Sequence, residues 1–211
     1  MCCPAITERV LDPGLVTFVT ASLPAPPARL LEVGAGSGEL AEYLAGAGYD
    51  VVAIDPASHT DRVQPVALDQ LEAPDASFDA ALAVLSLHHV EPLEASSERL
   101  AAMLRPGAVL VVDEFDIAAF DTAAARWWFA QRREATTPDH AHGIVEDLRR
   151  HLHRVSAIVD ALSPWFEFGQ IERLPYLYRW ELGPEVRQLE EHAIARGEIA
   201  ATGARMVGRR R

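Results

Sequence analysis

Two residue types are missing from this sequence of 211 residues: it contains no lysine and no asparagine, so all 19 cationic side chains are arginine. Without lysine the chain cannot form a Schiff base with a carbonyl substrate or a pyridoxal cofactor. It also lacks the lysine of a Walker A loop and the Tyr-x-x-x-Lys pair of short-chain dehydrogenases. These absences exclude three common kinds of enzyme site.

Cysteines and long apolar runs are also scarce. Cys2 and Cys3 are adjacent, so they cannot join distant segments, and they supply at most half of a four-ligand zinc site. No apolar run approaches the roughly 18 residues of a membrane span. No segment with a charged, an apolar and a small-residue region opens the chain as a signal peptide would. We therefore expect a cytoplasmic protein with no membrane partner.

The chain is strongly acidic, with 31 Asp and Glu residues and a formal net charge of -12. Such a surface repels phosphate backbones within the screening length, so we expect no nucleic-acid partner. The basic triplet Arg209 to Arg211 is typical of a solvated chain end. With 49% hydrophobic residues, the chain is long enough for one domain with its own core.

Short apolar runs alternate with helical stretches in the first half of the chain. Two short helical pieces are predicted within residues 1–22. Strands are predicted at residues 29–33, 51–54, 63–68, 78–85 and 108–112, with helices at 39–47 and 92–104. Continuous apolar strands separated by helices indicate a parallel sheet that is buried on both faces.

The second half has a different pattern. Long amphipathic helices are predicted at residues 122–134 and 143–162, an aromatic-rich strand at 174–180, a charged helix at 185–196 and a last short strand at 205–207. A helix, a tight turn and a strand in this order predict an antiparallel hairpin at the edge of the sheet.

Three glycines, Gly34, Gly36 and Gly38, follow the first predicted strand. Glycine lets the backbone approach a ligand closely at such a turn, and the free N–H groups of the next helix add positive potential. In the dinucleotide fingerprint G-x-G-x-x-G, the third glycine would stand at position 39. That residue is Glu39, whose carboxylate would face a pyrophosphate. The acid-x-G-x-G-x-G pattern that begins at Glu32 suits a ligand without phosphate.

Five motifs occur in order over roughly residues 29–114. They are Glu32-Val33-Gly34-Ala35-Gly36-Ser37-Gly38, Val51-Val52-Ala53-Ile54-Asp55, Ser77-Phe78-Asp79, Leu87-His88-His89-Val90 and Leu104-Arg105-Pro106-Gly107. In this the sequence resembles the class I S-adenosylmethionine-dependent methyltransferases, in particular the small-molecule group that contains the ubiquinone and menaquinone biosynthesis enzymes.

The resemblance implies a single α/β domain with a Rossmann-like, seven-stranded, mostly parallel sheet, helices on both faces and an antiparallel C-terminal hairpin. Within it we expect a cofactor-binding core at about 29–115, a helical substrate cap at about 118–162 and a C-terminal strand-helix-strand unit at 165–207.

The resemblance also implies S-adenosyl-L-methionine as the cofactor. Gly34, Gly36 and Gly38 would let its methionine part lie against the loop, with Glu32 orienting it through the backbone or water. Asp55 stands at the end of the second strand and would accept hydrogen bonds from both ribose hydroxyls, or it is a helix N-cap.

The adenine end departs from the family pattern. Only residues 56–62 separate Asp55 from the third predicted strand, which is too few for the usual crossover helix. Asp69 would accept from the adenine amino group or is an ordinary turn aspartate, and Gln70 and Leu71 could share its role. The backbone carbonyl near Val84 would accept from the cofactor's ammonium group.

His88 and His89 follow the fourth predicted strand, at the crevice edge where ligands bind in open α/β sheets. With an unperturbed pKa of about 6.5, a histidine there could accept a proton from the methyl acceptor. In the alternative, the pair only packs and caps. Asp113 and Glu114 at the same rim would orient an amine or hydroxyl acceptor, or cap helices.

Two further groups of side chains have residue types that are common in ligand sites. Trp127, Trp128 and Phe129 form an aromatic patch, one member of which is expected to line the acceptor pocket. The pairs His140-x-His142 and His151-x-His153 lack the i, i+4 spacing of zinc ligands on a helix, so no metal is expected.

The sequence therefore predicts methyl transfer to an oxygen or nitrogen of a small-molecule acceptor by direct displacement, carried out by a monomer or homodimer. Two alternatives stay open: a methyltransferase-like binding protein without turnover, and a nicotinamide-dependent oxidoreductase. Glu39 and the absence of lysine argue against the second.

Overall fold

The computed structural model describes residues 11–211, so Cys2, Cys3 and the first predicted helical piece lie outside the described residues. The first helix, α1 (Pro13–Ser22), starts at Asp12, whose side chain accepts a hydrogen bond from the Leu15 N–H and so caps the helix. The other helices are α2 (Glu39–Gly46), α3 (Leu93–Met103), α4 (Thr122–Gln131), α5 (Pro138–His151), α6 (Val155–Leu162) and α7 (Arg187–Ala195). Within residues 11–211, no helix is long and apolar enough to cross a membrane.

Seven strands form one sheet in the order β2-β1-β3-β4-β7-β5, and β6 also pairs with β7. The strands are β1 (Arg29–Val33), β2 (Asp50–Ile54), β3 (Phe78–Val84), β4 (Leu104–Phe115), β5 (Phe166–Phe168), β6 (Glu172–Leu174) and β7 (Gly203–Arg210). The first four strands are parallel, whereas β7 runs antiparallel to β4, β5 and β6. The predicted fold class is confirmed.

Successive residues of the central strands pack against different layers. Leu30 and Leu82 belong to a core cluster with residues of α1 and α2, while Leu31 and Ala81 belong to a second cluster with residues of α3 and α6. Burial on both faces explains why these strands are apolar throughout. Because β1, β2, β3 and β4 are parallel, their carboxyl ends lie together at one edge of the sheet. The glycine loop, Asp55 and the two histidines follow these strand ends.

The third predicted strand, residues 63–68, is wrong. Gln64 makes a single parallel bridge with Ile54, and the chain then enters a 3₁₀ turn at Leu68–Gln70. The connection is short, and Pro65 has no N–H to donate to a strand ladder. As a result, β2 is the last strand at its end of the sheet.

The predicted strand at 174–180 is also wrong, because β6 ends at Leu174 and a 3₁₀ turn follows at Leu177–Arg179. Glu190 on α7 is fully buried, and its carboxylate accepts hydrogen bonds from the backbone N–H groups of Tyr176, Leu177 and Tyr178 at 2.7, 2.9 and 2.8 Å. This carboxylate takes the three donors that a strand would have offered to the sheet.

Two smaller corrections concern helix and strand limits. The predicted helix at 143–162 is two helices, α5 and α6, separated by residues 152–154. The last strand, β7, is longer than predicted and lies between β4 and β5 instead of at the sheet edge.

Two insertions, residues 118–152 after β4 and residues 175–199 after β6, pack together, and we call them the cap. Their buried side chains form one cluster that includes Phe120, Phe129 and Leu177. Trp128 on α4 stacks on Trp180 with ring centroids 4.6 Å apart, and its Nε1–H donates to the Trp180 carbonyl at 2.8 Å. By contrast, α6 packs on α3 in the main core.

Candidate functional site

The glycine loop joins β1 to α2 and turns toward the end of β2. Gly34, Gly36 and Gly38 have φ values of 71°, 58° and 91°, a region that residues with a Cβ adopt rarely. The N–H groups of Gly34 and Ala35 both donate to the Ile54 carbonyl, at 2.8 and 3.0 Å. The three residues without side chains thus form the turn at the carboxyl end of β1.

Asp55 follows β2 directly and lies beside this loop. Its Oδ2 accepts a hydrogen bond from the Gly36 N–H at 2.9 Å, and its Oδ1 accepts one from the Ala57 N–H at 2.8 Å. Each carboxylate oxygen keeps a further lone pair. The structure therefore brings two predicted site residues, Gly36 and Asp55, into direct contact and holds the carboxylate in one orientation.

Glu32 on β1 lies beneath the loop and is only 3% exposed. Its Oε2 atom is buried without a hydrogen-bond partner in the described part of the chain. Burial, together with the nearby Glu39 carboxylate, raises the pKa of Glu32 to about 8. An ionised carboxylate is costly in such a place unless a cation or donor lies beside it. This acid therefore fits a cationic ligand group at the loop.

The segment that follows β3 lies against the glycine loop. A Cβ atom placed on Gly34 would overlap the Cβ of Ser86, and Ser86 Oγ is another buried atom that lacks a hydrogen-bond partner within residues 11–211. Val84 is the last residue of β3 and pairs with Asp113 on β4, and Leu85 then turns the chain with a φ of 55°. Residues 84–89 thus border the loop on the side away from β2.

His88 and His89 lie in a 3₁₀ turn, Leu87–His89, with ring centroids 4.3 Å apart. His88 is buried, and its Nδ1 atom lies 2.5 Å from Oε2 of Glu114; His89 is exposed. The other oxygen of Glu114 accepts hydrogen bonds from the Ser86 and Leu87 N–H groups at 3.0 and 2.6 Å. Sequence reasoning did not foresee this pairing, since Glu114 lies 26 residues from His88.

Asp69 and Gln70 stand in the 3₁₀ turn Leu68–Gln70, which packs on α3. Arg99 of α3 donates to the Leu71 and Ala73 carbonyls at 3.0 and 2.6 Å, which fixes the chain directly after the turn. The predicted contact of Asp69 and Gln70 with an adenine stays a prediction.

The short connection after Asp55 folds back over the start of α2. Thr60 Oγ1 donates to the Ser37 carbonyl at 3.4 Å, and a Cβ on Gly38 would lie 2.9 Å from Cγ2 of Val63. Arg62 forms an ion pair with Glu42 on α2 at 2.6 Å. This connection, in place of a crossover helix, therefore borders the glycine loop on the β2 side.

Buried acids at the end of β4 bind the protein itself. Asp113 is 2% exposed and accepts from Arg179 at 2.6 Å and from Arg205 at 2.5 Å. Since Glu114 is also occupied by the segment after β3, neither acid presents a free carboxylate to an acceptor. The predicted direct contact of Asp113 or Glu114 with the acceptor is not supported.

The three aromatic residues of the patch on α4 lie in two different environments, the core of the cap and the wall of an open cavity. Trp128 and Phe129 belong to the cap core, whereas Trp127 lines an open cavity of about 570 Å³ between α4 and residues 198–199. In the part of the chain that the structure covers, no group of three His, Cys, Asp or Glu side chains is placed to hold a metal ion.

Comparison with known families gives the class of this protein. Residues 7–157 match the model of the methyltransferase domain family. The chain belongs to this methyltransferase family, which confirms the family prediction made from the five motifs.

Two curated relatives and one solved structure show the degree of likeness. An uncharacterized methyltransferase of Mycobacterium tuberculosis (strain H37Rv) is 40% identical over 98 residues, which are 42% of this chain and 40% of that protein. The chain thus spans about two fifths of the length of that relative. A ubiquinone biosynthesis O-methyltransferase of Rhodopseudomonas palustris (strain TIE-1) is 26% identical over 183 residues, 75% of this chain and 67% of that protein. The crystal structure of an S-adenosylmethionine-dependent methyltransferase from Mesorhizobium loti superimposes with a TM-score of 0.60 at 19% identity. The match covers 91% of this chain and 95% of that one.

Proposed function

We propose that this protein transfers a methyl group from S-adenosylmethionine to an oxygen or nitrogen of a small molecule. The observation that carries the proposal is the contact between the Gly36 N–H and the Asp55 carboxylate at 2.9 Å, at the mouth of the strand that bears the glycine loop. It places an anionic acceptor of hydrogen bonds beside open backbone, as a nucleoside with an amino-acid tail requires. The family match and the Mesorhizobium loti enzyme support this cofactor.

Each residue near the loop has a part in holding that ligand. Asp55 accepts hydrogen bonds from the ribose hydroxyls through lone pairs that its backbone contacts leave available. Glu32 is buried, and one of its carboxylate oxygens has no hydrogen-bond partner in the described part of the chain, so it favours the ammonium group of the cofactor. The Val84 carbonyl is proposed to accept from the same ammonium group. Asp69 and Gln70 are proposed to meet the adenine.

When bound, the sulfonium supplies an activated methyl carbon. Transfer of that carbon to the acceptor's lone pair would break the carbon–sulfur bond and leave the electron pair of that bond on sulfur. The residues at the rim position the acceptor and remove its proton, for which we propose His88, with the exposed His89 beside it as a second candidate. Positioning supplies ~7 to 11 kcal/mol of such a barrier, and a general base typically adds 10²- to 10⁴-fold.

The acceptor is proposed to lie beneath the cap. An oxygen acceptor is favoured by the likeness to the ubiquinone biosynthesis O-methyltransferase, although that likeness is 26% in identity. We further propose that the protein acts in the cytoplasm as a monomer or homodimer. A binding protein without turnover would share all the cofactor contacts, so the experiment has to separate binding from catalysis.

Binding is tested by isothermal titration of the protein with S-adenosylhomocysteine. We expect saturable binding, and we expect Asp55→Ala to weaken it at least tenfold, since charge-assisted hydrogen bonds contribute about 1.5 to 3 kcal/mol. Asp50→Ala is the matched control: Asp50 lies at the other end of β2 and forms only an exposed ion pair with Arg29. No binding at millimolar ligand, or equal affinities for the two variants, would remove the proposal.

Turnover is tested separately by incubating the protein with S-adenosylmethionine and pooled phenols, catechols and amines. Release of S-adenosylhomocysteine that depends on the acceptor supports the enzyme. Binding without any such release favours the alternative of a binding protein.

A further inference from the structure

Glu114 and His88 form a buried pair that the proposed reaction does not by itself explain. Glu114 is 0% exposed at the end of β4, and every hydrogen bond described for its carboxylate goes to residues 86–88. One oxygen accepts from two backbone N–H groups, and the other meets the imidazole at 2.5 Å. The two backbone hydrogen bonds already join the end of β4 to the segment after β3, so the imidazole contact is a separate feature of this carboxylate.

We propose that Glu114 is a positioning residue that holds His88 in the tautomer with the proton on Nδ1, so that Nε2 carries the lone pair. This inference rests on the proposed function for the part that concerns proton removal.

The first argument is the chemistry of the contact. An ionised carboxylate can only accept hydrogen bonds, so a short contact to Nδ1 requires the proton on that nitrogen. In the neutral imidazole the other nitrogen then becomes the basic atom. A carboxylate on one ring nitrogen fixes the tautomer and ring orientation and makes the ring more basic, as it does for histidines that bind metals or act as general bases.

The second argument is the place of the pair in the site. The same carboxylate holds Ser86 and Leu87 through their N–H groups, and Ser86 is the residue packed against Gly34. Glu114 therefore sets the distance between the imidazole and the glycine loop as well as the proton position. The backbone of His88 is also held by the segment between α5 and α6, since its carbonyl accepts from the His153 N–H at 2.9 Å.

The titratable side chains described beside His88 within residues 11–211 make different contacts from that of Glu114. The His89 ring is tilted 48° to the His88 ring and has no ion pair among the described residues, and the described contacts of the His153 imidazole are to Glu91 and the Val90 carbonyl. Phe115 meets the ring edge-on at 6.5 Å between centroids and contributes no charge. Among these neighbours, Glu114 is the group that can select the tautomer.

Glu114→Gln is the informative variant because it is nearly isosteric. The amide oxygen can still accept from the Ser86 and Leu87 N–H groups, while the amide NH₂ would donate to Nδ1 and force the proton onto Nε2. We expect the fold and S-adenosylhomocysteine affinity to be kept and the tautomer to be reversed.

The tautomer is read directly from long-range ¹H–¹⁵N spectra of the uniformly ¹⁵N-labelled full chain, with His88→Gln used to assign the signal. We expect the Nδ1–H form in the unmodified protein and the Nε2–H form in Glu114→Gln. An Nε2–H form in the unmodified protein overturns the proposal, and so does an unchanged tautomer in the variant. The first measurement needs no change at Glu114 and no substrate, so it stands even if the proposed reaction fails.

Kinetics test the consequence once an acceptor is found. We expect Glu114→Gln to lower kcat about 10²-fold with little change in KM, to shift the acidic limb of the pH–rate profile, and to have no further effect in a His88→Gln background. A loss that adds to that of His88→Gln shows a structural role for Glu114 and overturns the positioning role.

Discussion

Ser86 occupies the space that a side chain on Gly34 would need, so the turn after β3 and the turn after β1 touch without any atoms between them. The contact joins the two halves of the candidate site, the loop for the cofactor and the segment that bears His88. It also makes Gly34 irreplaceable for two independent reasons, the lack of space and its φ of 71°.

Gly34→Ala is therefore expected to destabilise the protein by about 2 kcal/mol or more, from left-handed strain and from overlap with Ser86. Gly46→Ala is the control, because Gly46 is helical and has no heavy atom within 4 Å of an added Cβ. Alanine favours the helix by up to about 1 kcal/mol there. Urea unfolding of both variants checks the difference, and a Gly34→Ala protein as stable as the control would contradict the packing described here.

Much of this site could be predicted from sequence because its signals are local. The strand β1, the three glycines and Asp55 lie within 27 residues, and each depends on the backbone next to it. The segment 63–68 was predicted as a strand from its apolar residues alone. That prediction is wrong because Pro65 cannot donate a backbone hydrogen bond and because the connection is too short to carry the chain across the sheet.

What could not be predicted depends on contacts between distant residues. The alternating aromatic residues at 174–180 have the pattern of a strand. Their backbone N–H groups at 176–178 instead donate to Glu190, which lies on a helix later in the chain, so they are not available to a neighbouring strand. Likewise, the sequence left two roles open for Glu114, orienting an acceptor at the rim or capping a helix, and neither names a partner. Its actual partner, His88, becomes its neighbour only when β3 and β4 pair.

The Glu190 contacts give a second prediction. Glu190→Ala removes the carboxylate that accepts from three buried N–H groups, so we expect a loss of about 2 kcal/mol or more in stability and faster amide exchange at residues 176–178. Within residues 11–211 the ion pair described for the neighbouring Glu191 is to Arg187 at the surface, and Glu191→Ala is expected to cost about 0.5 kcal/mol or less. Hydrogen exchange read by NMR or mass spectrometry distinguishes the two. Equal protection of these amides in both variants would show that the carboxylate does not hold the turn.

A third prediction concerns pH. Burial, with Glu39 nearby, raises the pKa of Glu32 from 4.5 to about 8 in the folded protein. Between these pH values the unfolded chain has lost this proton while the folded protein keeps it. Stability therefore falls as pH rises, by up to about 1.4 kcal/mol per pH unit from this group.

Glu32→Gln has no proton to lose, so its stability relative to the unmodified protein is expected to increase steadily from pH 5 to pH 8. Urea unfolding at pH 5, 6.5 and 8 measures this, with Glu167→Gln at an exposed position of β5 as the matched control. Parallel stability curves for the unmodified protein and Glu32→Gln would mean that Glu32 is ionised in the folded state.

The cap enters the chain as two inserts, one after β4 and one after β6, and they meet each other through Trp128 and Trp180. None of the hydrogen bonds described for the glycine loop or for Asp55 comes from either insert. With the acceptor beneath the cap, as proposed, exchange of both inserts would change the substrate and leave the glycine loop and Asp55 as they are. Trp128 and Trp180 lie at the contact between the two inserts, so a change in one insert would require a matching change in the other.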